Sequence, residues 1–278
     1  MTRNETGELQ GAGGRVYWQA WLPEGEPRAV AVIVHGYAEH SGRYAHVAAR
    51  LNEAGFAVYA LDHIGHGRSA GGKANVESLD GAADNVGALL RLATDKHPGL
   101  PRFVIGHSMG GLTVAYWATR APVEVNGIVL SAPAIVVDAG NAVQKLLAPV
   151  ISKLAPNLPV VKLDSSLVSR DPEVVRAYDT DPLVFHGSVP ARTATEMLKA
   201  GEFVQAHLDR LTVPVLLQQG LADGLVSPVG ADLVERGAAS ADKTVLRYDG
   251  LYHEIFNEPE QDKVLTDTVQ WLEAHLPA

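Results

Sequence analysis

The chain has 278 residues, 46% hydrophobic and 20% charged, with a formal net charge of −9. That length and composition fit one α/β domain with a large core and room for an insertion. The acidic balance, with no run of more than two Lys or Arg, argues against a nucleic-acid partner, because phosphate binding needs a basic footprint. The absence of cysteine excludes disulfides, thiol catalysis and thiolate-held metals. The opening MTRNETGELQ has no apolar secretory core, and no apolar run approaches the roughly 18 residues of a spanning helix, so the expected compartment is the cytoplasm.

Along the chain, Leu9 and residues 16–21 flank a Gly-rich turn at 11–14 and predict an N-terminal hairpin at a sheet edge. Short β-branched runs follow at 30–34, 57–61, 103–105 and 128–130, then at 213–217 and 244–248. Helical spacing near 3.6 separates the first three, over 44–54 and 78–96, and recurs at 112–120. In the last helix Val264, Leu265, Thr268, Val269, Leu272 and Leu276 share one face. Strands alternating with helices predict a mostly parallel sheet covered on both faces.

From about 135 to 201 the rhythm breaks. No convincing strand occurs, and Val143, Leu146, Leu147, Val150, Ile151 and Leu154 form an apolar helical stripe in which Pro149 should kink or restart the helix. The expected organisation is a core of residues 1–134 and 202–278 with a helical cap of 135–201. Ligands of open α/β sheets bind beyond the carboxyl ends of the strands, where such a cap would roof them. Leu146, Leu147, Val150 and Ile151 are the expected substrate-binding residues of the cap.

The segment RFVIGHSMGG runs a buried strand into Gly106-His107-Ser108-Met109-Gly110 and on into a helix. That is G-x-S-x-G in its strand–turn–helix context, with Ser108 on a sharp turn as candidate nucleophile. A serine needs a base and a group that orients the base, in this architecture in the chain order Ser, acid, His. Asp223 follows the strand at 213–217 and His253 follows the strand at 244–248, so each lies past a carboxyl end where side chains converge. Asp249, His207 and His275 are the weaker rivals. The oxyanion of an acyl-transfer intermediate needs two backbone N–H donors. Met109 supplies one, and the loop after 30–34, His35-Gly36-Tyr37-Ala38-Glu39-His40, supplies the other through Tyr37, with Ala38 next. His35, His40, His63 and His66 tempt a metal reading, but no ligand cluster has zinc spacing, so no metal is expected. His107 is expected to be a packed scaffold residue.

His35-Gly-x-x-Glu-His-Ser-Gly-Arg-Tyr44, Asp62-His-x-Gly-His-Gly-x-Ser69, Gly106-His-Ser-Met-Gly-Gly111 and Tyr252-His-Glu-Ile-Phe-Asn-Glu258 together resemble the monoacylglycerol lipases of the α/β-hydrolase superfamily. Ser169-Arg-Asp-Pro-Glu-Val-Val175 and Asp181-Pro-Leu-Val184 resemble the bacterial, particularly mycobacterial, members. The resemblance covers nearly the whole chain. It implies an α/β-hydrolase fold, a Ser108–Asp223–His253 triad with oxyanion donors Tyr37 and Met109, a mobile cap over an apolar acyl channel, and hydrolysis of monoacylglycerols without a cofactor. A single-chain lipid ester is the expected partner, with peripheral membrane contact through the cap. Two positions depart from the pattern. Gln219-Gly220 stands where bacterial relatives often carry His-Gly, and Ile64 where Arg is common, and neither is expected to touch the triad. A broad carboxylesterase or lysophospholipase would use the same machinery. A ligand-binding protein on a hydrolase fold could dispense with it, and dehalogenase or epoxide hydrolase chemistry would want Asp at position 108.

Overall fold

The computed structural model describes residues 3–137 and 142–277, and within the helix that begins at Ala142 it describes side chains from Leu147 onward. The elements are β1 (Arg3–Gly11), β2 (Gly14–Leu22), β3 (Ala29–Val34), α1 (Ala45–Glu53), β4 (Phe56–Leu61), α2 (Leu79–Lys96), β5 (Arg102–His107), α3 (Met109–Arg120), β6 (Gly127–Ser131), α4 (Ala142–Leu154), β7 (Pro159–Val161), α5 (Pro172–Thr180), β8 (Val189–Pro190), α6 (Ala191–Ala206), β9 (Val215–Gly220), α7 (Val229–Gly237), β10 (Lys243–Tyr248) and α8 (Gln261–Ala274).

The main sheet has the order β1-β2-β4-β3-β5-β6-β9-β10. It is parallel from β4 to β10, while β1 and β2 form the expected antiparallel hairpin and β2 runs antiparallel to β4. This is the α/β-hydrolase fold. The central strands are apolar at successive positions because helices cover both faces. In β3, Val30, Val32 and Val34 join the core under α2 and α3, while Ala29, Ala31 and Ile33 join the core under α1 and α8. Helix starts follow the local chemistry: Ser78 Oγ accepts from Gly81 N ahead of α2, and Asp171 accepts from Glu173 N ahead of α5, whose first residue is Pro172.

Between β6 and β9 the chain leaves the sheet, and two expectations need correction there. The stretch read as strandless contains β7 and β8, a two-stranded antiparallel sheet too short and too exposed at β7 to leave a hydrophobic alternation. Helix α4 also continues through Pro149 as one element, so of the expected kink or restart the restart does not occur. Pro149 is exposed, and packing against α6 holds the turns on either side: Thr195 Oγ1 donates to Ala148 O at 3.3 Å and Arg192 Nη2 to Ser152 O at 3.1 Å.

Candidate active site

The turn between β5 and α3 brings three backbones together. A Cβ at Gly106 would lie 2.5 Å from Gly110 O, and one at Gly110 would lie 2.1 Å from Val34 O, so both positions demand glycine. Between them Ser108 has φ 54° and ψ −118°, an unfavourable backbone for a non-glycine residue. Its N–H donates to Ser131 O at 3.0 Å, and its carbonyl accepts from Leu112 N and Ala134 N. The strain is held by the core around it, and the side chain stands at the carboxyl edge of the sheet.

His253, on the loop after β10, meets Ser108 there. His253 Nε2 accepts from Ser108 Oγ at 2.8 Å, and His253 Nδ1 donates to Asp223 Oδ2 at 2.8 Å. Asp223 also accepts the Leu225 and Val226 N–H groups on Oδ1, each at 2.9 Å. Burial opposes its charge, but the His253 hydrogen bond and charge, with those two N–H groups, outweigh burial and hold its carboxyl below the usual range. The structure thus joins Ser108, His253 and Asp223 in one chain. It places the rivals elsewhere: Asp249 is exposed, His207 stacks on Phe203, and His275 stacks on Trp271 and bonds Asp242.

Gln219 corrects another expectation. Its Nε2 donates to Asp223 Oδ2 at 3.1 Å, the oxygen that also accepts from His253 Nδ1. As the penultimate residue of β9, it reaches its own strand's following loop, so the departure at this position does touch the candidate acid.

The loop after β3 folds back beside Ser108. A Cβ at Gly36 would meet Ser108 Cβ at 3.2 Å and Glu39 Oε1 at 2.9 Å. Glu39 Oε1 accepts from Gly36 N at 2.6 Å and from Tyr44 Oη at 2.7 Å, and Ala38 takes φ 68°. Tyr37 lies in this loop, and Met109 opens α3, where the first N–H groups have no partner within the helix. Arg43 then ties the loop to the histidine loop: Nη1 donates to Glu39 Oε2 at 2.8 Å, and Nη1 and Nη2 donate to the two Glu254 oxygens at 2.6 and 2.7 Å. Burial pushes the Glu39 carboxyl up, against the pull of Arg43. Burial also opposes the charge of Glu254, but Arg43 outweighs it and holds that carboxyl below its usual range. Sequence reasoning gave no role to Glu39, Arg43 or Glu254. Their signal was the i, i+4 charge pair inside the first motif and the acid directly after His253.

His35, His63, His66 and His107 are buried, and burial holds them neutral. Burial depresses His63 and His107 to about 3 and His66 to about 4, and carries His35 well below its ordinary value. His35 Nδ1 donates to Gly36 O and its Nε2 accepts from His63 N, so both its nitrogens serve the backbone. Among the described residues no group of three or more His, Cys, Asp or Glu is arranged to hold a metal ion.

A cavity of about 500 Å³ opens over this constellation. Its floor includes Gly36, Tyr37, Ala38, Ser108 and His253, and its walls include Val136, Val137, Val161, Leu163, Val168, Phe185, Val189, Met197, Leu225 and Val226. Leu147, Val150 and Ile151, expected on the acyl path, do not line it. Helix α4 turns the side of Ala148 and the buried Ser152 toward α6, which leaves Leu147, Val150 and Leu154 outward at 47, 53 and 79% exposure and Ile151 half-buried. The Val143 and Leu146 side chains lie outside the described residues. Helical spacing marks which residues share a face but not which way that face turns.

Residues 25–260 match the family model described as serine aminopeptidase, S33. The chain is 45% identical to a monoacylglycerol lipase of Mycolicibacterium smegmatis, over 99% of both chains. It is 36% identical to a human monoglyceride lipase, over 88% of this chain and 82% of that protein. The crystal structure of a monoacylglycerol lipase from Paleococcus ferrophilus superposes with a TM-score of 0.82 at 32% identity, covering 99% of both chains.

Proposed function

The chain belongs to the monoacylglycerol lipase family of the α/β-hydrolases, and from that premise we propose that it hydrolyses monoacylglycerols to fatty acid and glycerol. The supporting observation is the hydrogen-bonded Ser108–His253–Asp223 chain on the floor of an apolar cavity. Ser108 Oγ attacks the ester carbonyl carbon as His253 Nε2 takes its proton, and Asp223 stabilises the imidazolium and fixes its tautomer. The backbone N–H groups of Tyr37 and Met109 stabilise the tetrahedral oxyanion. Collapse gives the Ser108 acyl ester and sends the His253 proton to the departing glycerol oxygen. Water activated by His253 then releases the fatty acid. Protein groups and water suffice, so no cofactor is required. The apolar walls suit an acyl chain.

Residues 135–201 act as the cap of this core. Over 142–163 the sequence carries Lys145, Lys153 and Lys162 and no acidic residue, in a protein of net charge −9. The exposed Leu147, Val150, Leu154, Leu158, Val160 and Val161 lie in the same stretch. An apolar surface set among cations suits the interface of an anionic bilayer, from which a lipid ester enters. Among the described residues no helix is long and apolar enough to cross a membrane.

The test is a panel of monoacyl-, diacyl- and triacylglycerols, a lysophospholipid and soluble esters of graded acyl length, with phosphonate labelling mapped by mass spectrometry. Preference for the monoacylglycerol with a single adduct at Ser108 is the expected result. Faster turnover of the lysophospholipid or of short soluble esters would give the protein to the broader esterase reading. An adduct elsewhere, or a Ser108→Ala variant with wild-type turnover, would overturn the nucleophile.

A further inference from the structure

The cap segment that contains α5 is bonded at each end to a different loop of the candidate site. At its first end Val168 O accepts from Glu254 N at 2.8 Å, one residue past His253. Glu258, with no exposed surface, gathers the neighbouring groups. Its Oε1 accepts from Ser169 Oγ at 2.8 Å and Arg170 N at 2.6 Å, and its Oε2 accepts from Arg170 Nε at 2.6 Å and Tyr252 N at 3.1 Å. The backbone N–H on each side of His253 is therefore held through this end of the cap, one by Val168 and one by the carboxylate that also grips Arg170.

The second end holds the loop after β3. Phe185 N donates to Ala38 O at 2.8 Å, where Ala38 takes its left-handed φ. Asp181 Oδ2 accepts from His40 Nε2 at 2.9 Å, and Asp181 Oδ1 accepts from Leu183 N at 2.8 Å. His40 Nδ1 accepts from Gly42 N, which fixes the tautomer that donates to Asp181. Between the ends α5 has nine residues, about 13–14 Å of regular helix. Its Tyr178 ring lies 4.8 Å from the Arg43 guanidinium that joins Glu39 to Glu254. A rigid element bonded to two loops sets the distance between them.

We propose that residues 168–185 form a brace that holds the oxyanion loop against the His253 loop, with Asp181 and Glu258 as the positioning residues at its ends. The proposal rests on the hydrolase reading above. Neither residue touches substrate: Asp181 acts through His40 and the backbone of its loop, and Glu258 through Tyr252 N and the foot of the cap. A lid serves entry and retention of a lipid, whereas a brace serves the chemical step on every ester, including one too small to need an acyl channel.

The experiment uses p-nitrophenyl acetate and a soluble phosphonate with the full-length Asp181→Ala and Glu258→Gln variants, assayed well below their melting temperatures. A displacement of about 1 Å costs about 10²-fold in rate, so kcat and the labelling rate of Ser108 should fall by roughly 10- to 100-fold, with KM changed far less. Arg170→Ala, at a partly exposed side chain, reads the same end of the segment if Glu258→Gln does not fold. Folded variants with wild-type kcat and labelling rate would overturn the proposal, as would a loss carried by KM alone. The wild-type protein separates the two levels. If it neither turns over the acetate nor labels at Ser108, the hydrolase reading has failed. If it does both and the variants match it, only the brace has failed.

Discussion

Residues 142–163 and 164–187 are neighbours in the chain, and both leave the sheet between β6 and β9, yet they are held in opposite ways. The second stretch carries Asp164, Ser169, Arg170, Asp171, Tyr178 and Asp181, and several of these bond to the two loops that flank Ser108. The first is mostly Leu, Val, Ile, Ala, Pro and Lys, with Gln144, Ser152 and Asn157 as its other polar residues. Its helix α4 packs on α6 through Ala148 and Ser152, and its other face is open. Buried polar groups need partners in a specific geometry, whereas contact between apolar side chains is non-directional. Residues 164–187 are therefore tied to the loops by directed bonds, whereas the outer face of α4 stays exposed.

Substitutions in the proposed triad give the baseline against which both stretches are read. Asp223→Asn should lower kcat by about 10⁴, equally on short and long esters, because the amide favours the wrong imidazole tautomer. Asp249→Asn, at an exposed position, should leave kcat near wild type. Steady-state kinetics on both esters check this, and a loss confined to long esters would move Asp223 from the chemistry to the acyl path.

Arg43→Ala removes the cation between two buried carboxylates and the partner of Tyr178. Breaking a buried pair costs about 3–5 kcal/mol, or roughly 6–20 °C of melting temperature for a domain of this size. Calorimetry checks it. A change as small as that of an exposed ion pair would mean that residues 164–187 are not held through Arg43.

Acid should act on the buried core beside these stretches. His63, His66 and His107 are held at about 3 to 4 in the folded protein, against about 6.5 unfolded. The unfolded chain binds protons first as pH falls. The stabilisation is complete above about pH 6.5 and is lost below it, by up to about 1.4 kcal/mol per pH unit for each such histidine. Melting temperature followed from pH 7.5 to 4.5 should decline below about 6.5, and a flat profile would show that these rings are not held neutral. Residues 142–163 contain no His, Asp or Glu, so that stretch contributes nothing to that limb.

The smallest stability effects and the most selective functional ones belong to residues 142–163. Leu147→Ser or Val150→Ser should move stability by no more than about 0.5 kcal/mol. Each removes apolar contact of about 1.5 kcal/mol with a bilayer, roughly tenfold in vesicle binding. Co-sedimentation with anionic and zwitterionic vesicles at low and high salt, beside turnover of a soluble ester, checks both parts. A melting temperature that falls with unchanged vesicle binding would make the stripe a packing surface.

Much of the candidate site was legible in the sequence because its signals are local. Gly106, Ser108 and Gly110 are adjacent, and a strand meeting a helix across so few residues requires that sharp turn. Asp223 and His253 were legible because each follows a strand, and parallel strands deliver their carboxyl ends to one edge. The strands and helices of the core were legible for the same kind of reason, since period-two and 3.6-residue patterns report burial along a single element. Glu39, Arg43 and Glu254 were not given their roles, because a charged residue reads as solvated surface until long-range folding places its partner beside it, 211 residues away in the case of Arg43 and Glu254.

The sequence by itself determined the family, the parallel sheet, the turn that presents Ser108 and the loops that carry its partners. Tertiary structure alone decided the direction of the α4 stripe, the contact of Gln219 with Asp223, the pairing of β7 with β8 and the attachment of α5 to both loops. Local patterns specify which residues share a face, because backbone geometry repeats along an element. What that face meets depends on contacts between segments far apart in the chain, and those exist only once the sheet has brought the segments together.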